Sequence, residues 1–79
     1  EVHIFIDDGL HSLPSSLNSF IWAMQVVQSE GYIIIEDLYN PRRIWDSIAQ
    51  LYCNSNLISD VKLYTNKTRA GVTLIFKKV

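Results

Sequence analysis

Two short apolar runs in this chain end abruptly in acids. Ile4-Phe5-Ile6 gives way to Asp7-Asp8-Gly9-Leu10-His11, and Tyr32-Ile33-Ile34-Ile35 gives way to Glu36-Asp37. Runs of this length, without polar alternation and bounded by turn signals, predict strands buried on both faces, the pattern of a parallel sheet. In open α/β sheets, ligands bind in the crevice beyond the carboxyl ends of the strands. The sequence therefore sets four carboxylates and one imidazole where such a fold does its chemistry.

The remaining segments alternate around these runs. Val2 to Ile6 reads as a strand and Asp7 to Leu13 as a loop. From Pro14, the positions Leu17, Phe20, Ile21, Met24 and Val27 follow helical spacing, with Met24 and Trp22 both explained by packing on a core helix. Pro14 suits a first turn, Ser12 or Leu13 the cap, and Gly31 the residue just past the helix end. Tyr32 to Ile35 is a second strand. Asn40-Pro41 then signals a helix start, a capping side chain followed by proline. Ile44, Trp45, Ile48, Leu51 and Tyr52 form its expected buried stripe, and Asn54-Ser55-Asn56 its end. Val61 to Thr65 and Val72 to Phe76, joined by a polar loop with Gly71, read as an antiparallel hairpin. The order is β-α-β-α-β-β. The first two strands are expected to be parallel through a right-handed crossover, with the last strand running against the others.

Size makes this pattern demanding. Of 79 residues, 48% are hydrophobic, with two tryptophans, four tyrosines and three phenylalanines. A chain this short buries only about 60–65% of its unfolded surface, so the composition implies more apolar surface than one small domain hides. It should pack on another segment or chain, or form part of a larger domain. A net charge of −1 gives no electrostatic case for nucleic acid or an anionic membrane. Arg42-Arg43 and Lys77-Lys78 read as solvated surface. The lone Cys53 excludes an internal disulfide and a thiolate zinc site, and reads as a small half-buried filler. No apolar run reaches the length of a membrane span and no signal peptide is present, so a soluble cytoplasmic protein is expected.

The acids admit two readings. If the strands are neighbours, Asp7-Asp8 and Glu36-Asp37 end about one strand spacing apart, roughly 5 Å. Carboxylates so close repel unless a cation lies between them, and hard divalent ions such as Mg²⁺ take oxygen ligands. His11 can reach over the same crevice as a general base. Alternatively, Asp8-Gly9 is a turn dipeptide, Asp7 and Asp37 cap backbone amides, and His11 is an idle loop residue. His3, inside a strand, reads as a satisfied core or sheet-face histidine. A phosphate-cradling glycine loop is missing. Receiver domains need a further acceptor Asp and a Lys, and haloacid-dehalogenase-type phosphatases need Asp-x-Asp, whereas the acids here are adjacent.

The element order, with Ile6-Asp7-Asp8-Gly9-x-His11 and Glu30-Gly31-Tyr32-Ile33-Ile34-Ile35-Glu36-Asp37-Leu38, resembles the C-terminal half of a class I S-adenosylmethionine-dependent methyltransferase. It is most similar to the metal-dependent sugar O-methyltransferases of the mycinamicin and macrocin type, which carry Asp-Asp-Gly-Ser-His-like and Gly-Gly-x-x-x-x-Glu-Asp-like segments. The resemblance implies a Rossmann-like sheet, with these strands as its fourth to seventh. It further implies that Asp8, Glu36 and Asp37 hold Mg²⁺ or Mn²⁺, that His11 is the catalytic base, and that Asp7 lies near the S-adenosylmethionine. Leu10 and Glu30 depart from the family pattern. The implied activity is methyl transfer to a hydroxyl of a sugar or similar small molecule. Residues 1–79 would then form one partial domain, inactive alone and completed by the N-terminal cofactor-binding half or a partner chain, with homo-oligomerisation open. The alternative is a non-catalytic α/β interaction or scaffold fragment.

Overall fold

A computed structural model of the chain describes residues 2–7, 13–38, 42–65 and 72–79, with side chains at all of these except 13, 37, 42 and 43. The elements follow in the expected order: β1 (Val2–Asp7), α1 (Leu13–Val26), β2 (Val27–Leu38), α2 (Arg42–Asn54), β3 (Ile58–Thr65) and β4 (Val72–Lys78). They build an α/β domain with one mixed sheet in the order β1-β2-β4-β3. β1 runs parallel to β2, and β4 runs antiparallel to both of its neighbours. The last strand is thus inserted between the second and third, leaving β1 and β3 as the edges.

Both helices pack on one face of this sheet. Phe20 of α1 meets Phe76 of β4 at 4.7 Å between ring centroids, and Trp45 and Tyr52 of α2 at 5.7 and 5.1 Å. Trp45 also faces Phe76 at 6.1 Å. Ile33 and Ile35 of β2 and Leu74 of β4 complete the core beneath these rings. Cross-strand partners share a face, so Phe5, level with Ile33, points the same way.

The opposite face carries no layer among the described residues, and this corrects the expectation of strands buried on both sides. Ile4 and Ile6 are each 56% exposed, Tyr32 is exposed, and Ile34 is only half-buried. Neither helix can cover that face, because both are already committed to the shared aromatic core. Within the helices, Phe20 and Trp45 are buried as expected, and Cys53 is half-buried against the core; Val27 is buried too, but as the first residue of β2. Ile21, Trp22, Ile44 and Leu51 are exposed instead. On α1 the core face turns one position, bringing Ser16 and Ala23 inward, while Trp22 lies against Phe5 at 5.5 Å at the rim.

The junction of α1 and β2 also differs from the sequence reading. The helix stops at Val26, and Gly31 belongs to β2 rather than to the helix end. Glu30, not Gly31, takes the left-handed conformation, with φ 65°. From Val2 to Ile4 the β1 register advances two positions while β2 advances from Val27 to Tyr32, so residues 28–31 bulge out. Gly31 is needed there for space: a Cβ would lie 2.5 Å from Val27 Cγ1 and 2.6 Å from the His3 carbonyl oxygen. Lys78 stabilises the junction by donating hydrogen bonds from Nζ to the carbonyls of Met24 (2.7 Å) and Val27 (2.6 Å). This corrects the surface reading of Lys77-Lys78, since Lys78 caps a helix end and Lys77 lies over the Tyr32 ring at 5.8 Å.

The end of α2 is a Schellman motif. Asn56 is left-handed at φ 59°, its N–H donates to the Cys53 carbonyl, and the Leu57 N–H reaches back to Tyr52. The Asn40-Pro41 start signal and the hairpin loop fall outside the described residues, as does Ser12.

Candidate functional site

β1 and β2 run side by side, and β2 continues three residues past the level at which β1 ends. Asp7, the last residue of β1, is level with Ile35 of β2, one residue before Glu36. Parallel neighbours are about 4.8 Å apart, so Asp7 stands beside Ile35, and Glu36 follows one residue further along β2, still within the sheet. Strand order makes this possible: β4 pairs with the far side of β2 and does not separate it from β1.

Asp7 is 9% exposed and points, like Ile35, toward the helix side of the sheet; Glu36 is half-buried. Both acids are engaged by neighbouring groups. Burial disfavours an unpaired carboxylate, so such contacts are what allow Asp7 to sit at a core margin. α1 and α2 each begin a few residues beyond a strand end, which brings two helix N-termini toward the same end of the sheet. Their partial positive charges favour anions there.

The sequence reading missed an irregularity at the second acid pair. Ile35 is level with Leu74 and Leu38 with Val72, so β2 advances three residues against two on β4 across Glu36 and Asp37. One extra residue is therefore inserted at the acids, a β-bulge. Bulges break strict alternation and re-aim side chains. No glycine or proline lies between Ile35 and Leu38, so nothing in the residue types announces it.

Asp8 and His11 lie outside the described residues, and Asp37 is placed in β2 without its side chain. Of the expected set, the structure describes the side chains of Asp7 and Glu36, one residue apart in level on neighbouring strands. Among the described residues, no group of three or more His, Cys, Asp or Glu side chains is clustered to hold a metal ion. His3 is on the sheet margin, where its Nδ1 accepts a hydrogen bond from Gln28 Nε2 at 2.5 Å. That agrees with a satisfied histidine remote from the acids.

A separate groove of about 200 Å³ crosses the uncovered face, lined by Tyr32, Asp60, Lys62, Tyr64, Ile75 and Lys77. It contains none of the expected site residues. No helix among the described residues is long and apolar enough to cross a membrane. Comparison with protein-family models, characterised proteins and solved structures finds no match to this chain.

Proposed function

We propose that this chain is the catalytic half of an S-adenosylmethionine-dependent, Mg²⁺-assisted O-methyltransferase acting on a hydroxyl of a sugar or similar small molecule. The observation that carries the reading is the level pairing of Asp7 with Ile35, which sets Asp7 and Glu36 one residue apart in level on adjacent parallel strands. Two further features support it. The parallel β1–β2 pair and the antiparallel last strand are compatible with the C-terminal half of a Rossmann-like sheet. The free edge of β1 and the uncovered sheet face lie where the cofactor-binding half of such a fold would attach.

The donor chemistry of the proposed set fits a hard divalent cation, since Asp8, Glu36 and Asp37 all carry carboxylate oxygens. Asp8, Glu36 and Asp37 would hold the ion, Mg²⁺ or Mn²⁺. A bound divalent ion lowers the pKa of a hydroxyl that it contacts. His11 would take the hydroxyl proton as the oxygen accepts the methyl group from the sulfonium. Asp7, at the end of β1, would face the methyl donor. The chain's main contribution is positioning, because two adjacent strands fix the spacing of the acids before substrate arrives.

The test is titration calorimetry with Mg²⁺ and Mn²⁺ on the complete protein. Asp8→Asn and Asp37→Asn should each weaken binding at least tenfold, and His11→Ala should abolish methyl transfer while leaving metal binding intact. Absence of divalent-ion binding, with or without S-adenosylmethionine, would instead favour the scaffold reading, in which the acids serve only turns and caps.

A further inference from the structure

The second sheet edge carries a self-complementary charge pattern. β3 borders β4 on one side only, and Asp60, Val61, Lys62 and Leu63 keep unbroken register with Lys77, Phe76, Ile75 and Leu74. Asp60 and Lys62 therefore share the uncovered face, while Val61 and Leu63 point to the helix side. From the geometry we infer that β3 is a homodimer edge, pairing antiparallel with β3 of a second copy about a two-fold axis through Val61.

Register follows from the charges. Opposite residues in an antiparallel pair share a face, so a two-fold axis must pass through one residue and keep odd with odd. Centred on Val61, each Asp60 stands opposite Lys62 of the other copy, giving two opposite-charge pairs related by the axis. A shift by one centre to Lys62 would set lysine against lysine. A central lysine normally discourages edge pairing; here one register neutralises it and its neighbour opposes it. Lys77 is level with Asp60 on β4 and shares that face, so in this register each acid has a lysine on either side.

The helix side supplies the apolar area. A groove of about 360 Å³ runs between α2 and the β3 edge, lined in part by Trp45, Ala49, Val61 and Leu63. Leu63, on this groove, is 37% exposed. A stable interface needs about 800 Å² from each partner, roughly a sixth of the 5168 Å² surface of this chain. The eight-residue β3 edge and the flank of α2 beside the groove are the surface available for it. β3 is the edge opposite β1, so this dimer goes beyond the proposed function and is independent of whatever attaches at β1.

Sedimentation equilibrium of the full chain should give twice its 9.1 kDa mass. Asp60→Lys and Lys62→Asp should each raise the dimer Kd about tenfold or more, and the two together should restore it to within about threefold. Circular dichroism of each variant separates dissociation from unfolding. In a Cys53→Ser background, Val61→Cys should form an interchain disulfide on oxidation, because the axis passes through it. Ser59→Cys should not, since its opposite number is Leu63. A monomer throughout, a dimer indifferent to single charge reversal, or a dimer broken by Ile6→Lys in β1 instead would overturn the assignment.

Discussion

At the scale of single residues, the α1–β2 junction concentrates the strain in this molecule. Glu30 occupies a left-handed conformation that costs an L-residue roughly 1–2 kcal/mol. Its neighbour Gly31 has no such torsion but has no room for a side chain. The two positions should therefore respond in opposite directions. Glu30→Gly is expected to stabilise the fold by up to about 1 kcal/mol, since glycine adopts this conformation without a Cβ clash. Gly31→Ala is expected to cost about 1–3 kcal/mol, because the His3 carbonyl belongs to the paired β1 backbone and cannot move aside cheaply. Urea unfolding of both variants gives the comparison, and equal signs would show that the strain is assigned to the wrong residue. Lys78 acts on the same junction from β4. Lys78→Met keeps the apolar stem but leaves two carbonyls without their charged donor, so a loss of about 1–3 kcal/mol is expected in the same measurement.

At the scale of elements, periodicity carried most of the information. Apolar runs ending in acids, Pro14 near a helix start and a polar segment between two β-rich stretches were enough to order six elements. The antiparallel sense of the last strand followed from the hairpin pattern. Orientation about each helix was harder to read. Ile21 and Trp22 are as apolar as Phe20, yet only the Phe20 direction faces the aromatic cluster, and hydrophobicity alone cannot distinguish inward positions from apolar residues at a rim. The bulge at Glu36 and Asp37 was hidden for a related reason, since it is imposed by pairing with β4 rather than by a local glycine. Of the site, the parallel neighbourhood of β1 and β2 was legible; the continuation of β2 through Glu36 and Asp37, and the insertion there, were not. The end of α2 was legible as Asn54-Ser55-Asn56 because asparagine tolerates the left-handed turn. Asn56→Val should cost about 1 kcal/mol or more in thermal unfolding, whereas Asn56→Gly should be neutral or slightly stabilising.

At the scale of the whole molecule, the uncovered sheet face is not a sign of loose packing. The radius of gyration is 11.7 Å, matching the value of about 11.6 Å expected for a compact domain of this length. Ile33, Ile35 and Phe76 are fully enclosed on the helix side, so the domain has a finished core and still presents isoleucines to water. The excess apolar composition is therefore spread over the uncovered sheet face and over outward positions of the helices. Exposed side chains contribute little to folding, and surface substitutions away from special features usually change stability by less than about 0.5 kcal/mol. Replacing Ile4 and Ile6 with threonine preserves β-branched geometry while removing apolar surface. The double variant should unfold at nearly the wild-type temperature, and native-state binding of a hydrophobic dye should fall severalfold. A drop in stability comparable to a core substitution, about 2–5 kcal/mol, would mean that these side chains are covered in solution. Adding the upstream half of the proposed enzyme should suppress dye binding to the wild-type face in the same way, since the β1 edge and the apolar strip beside it would then be filled together.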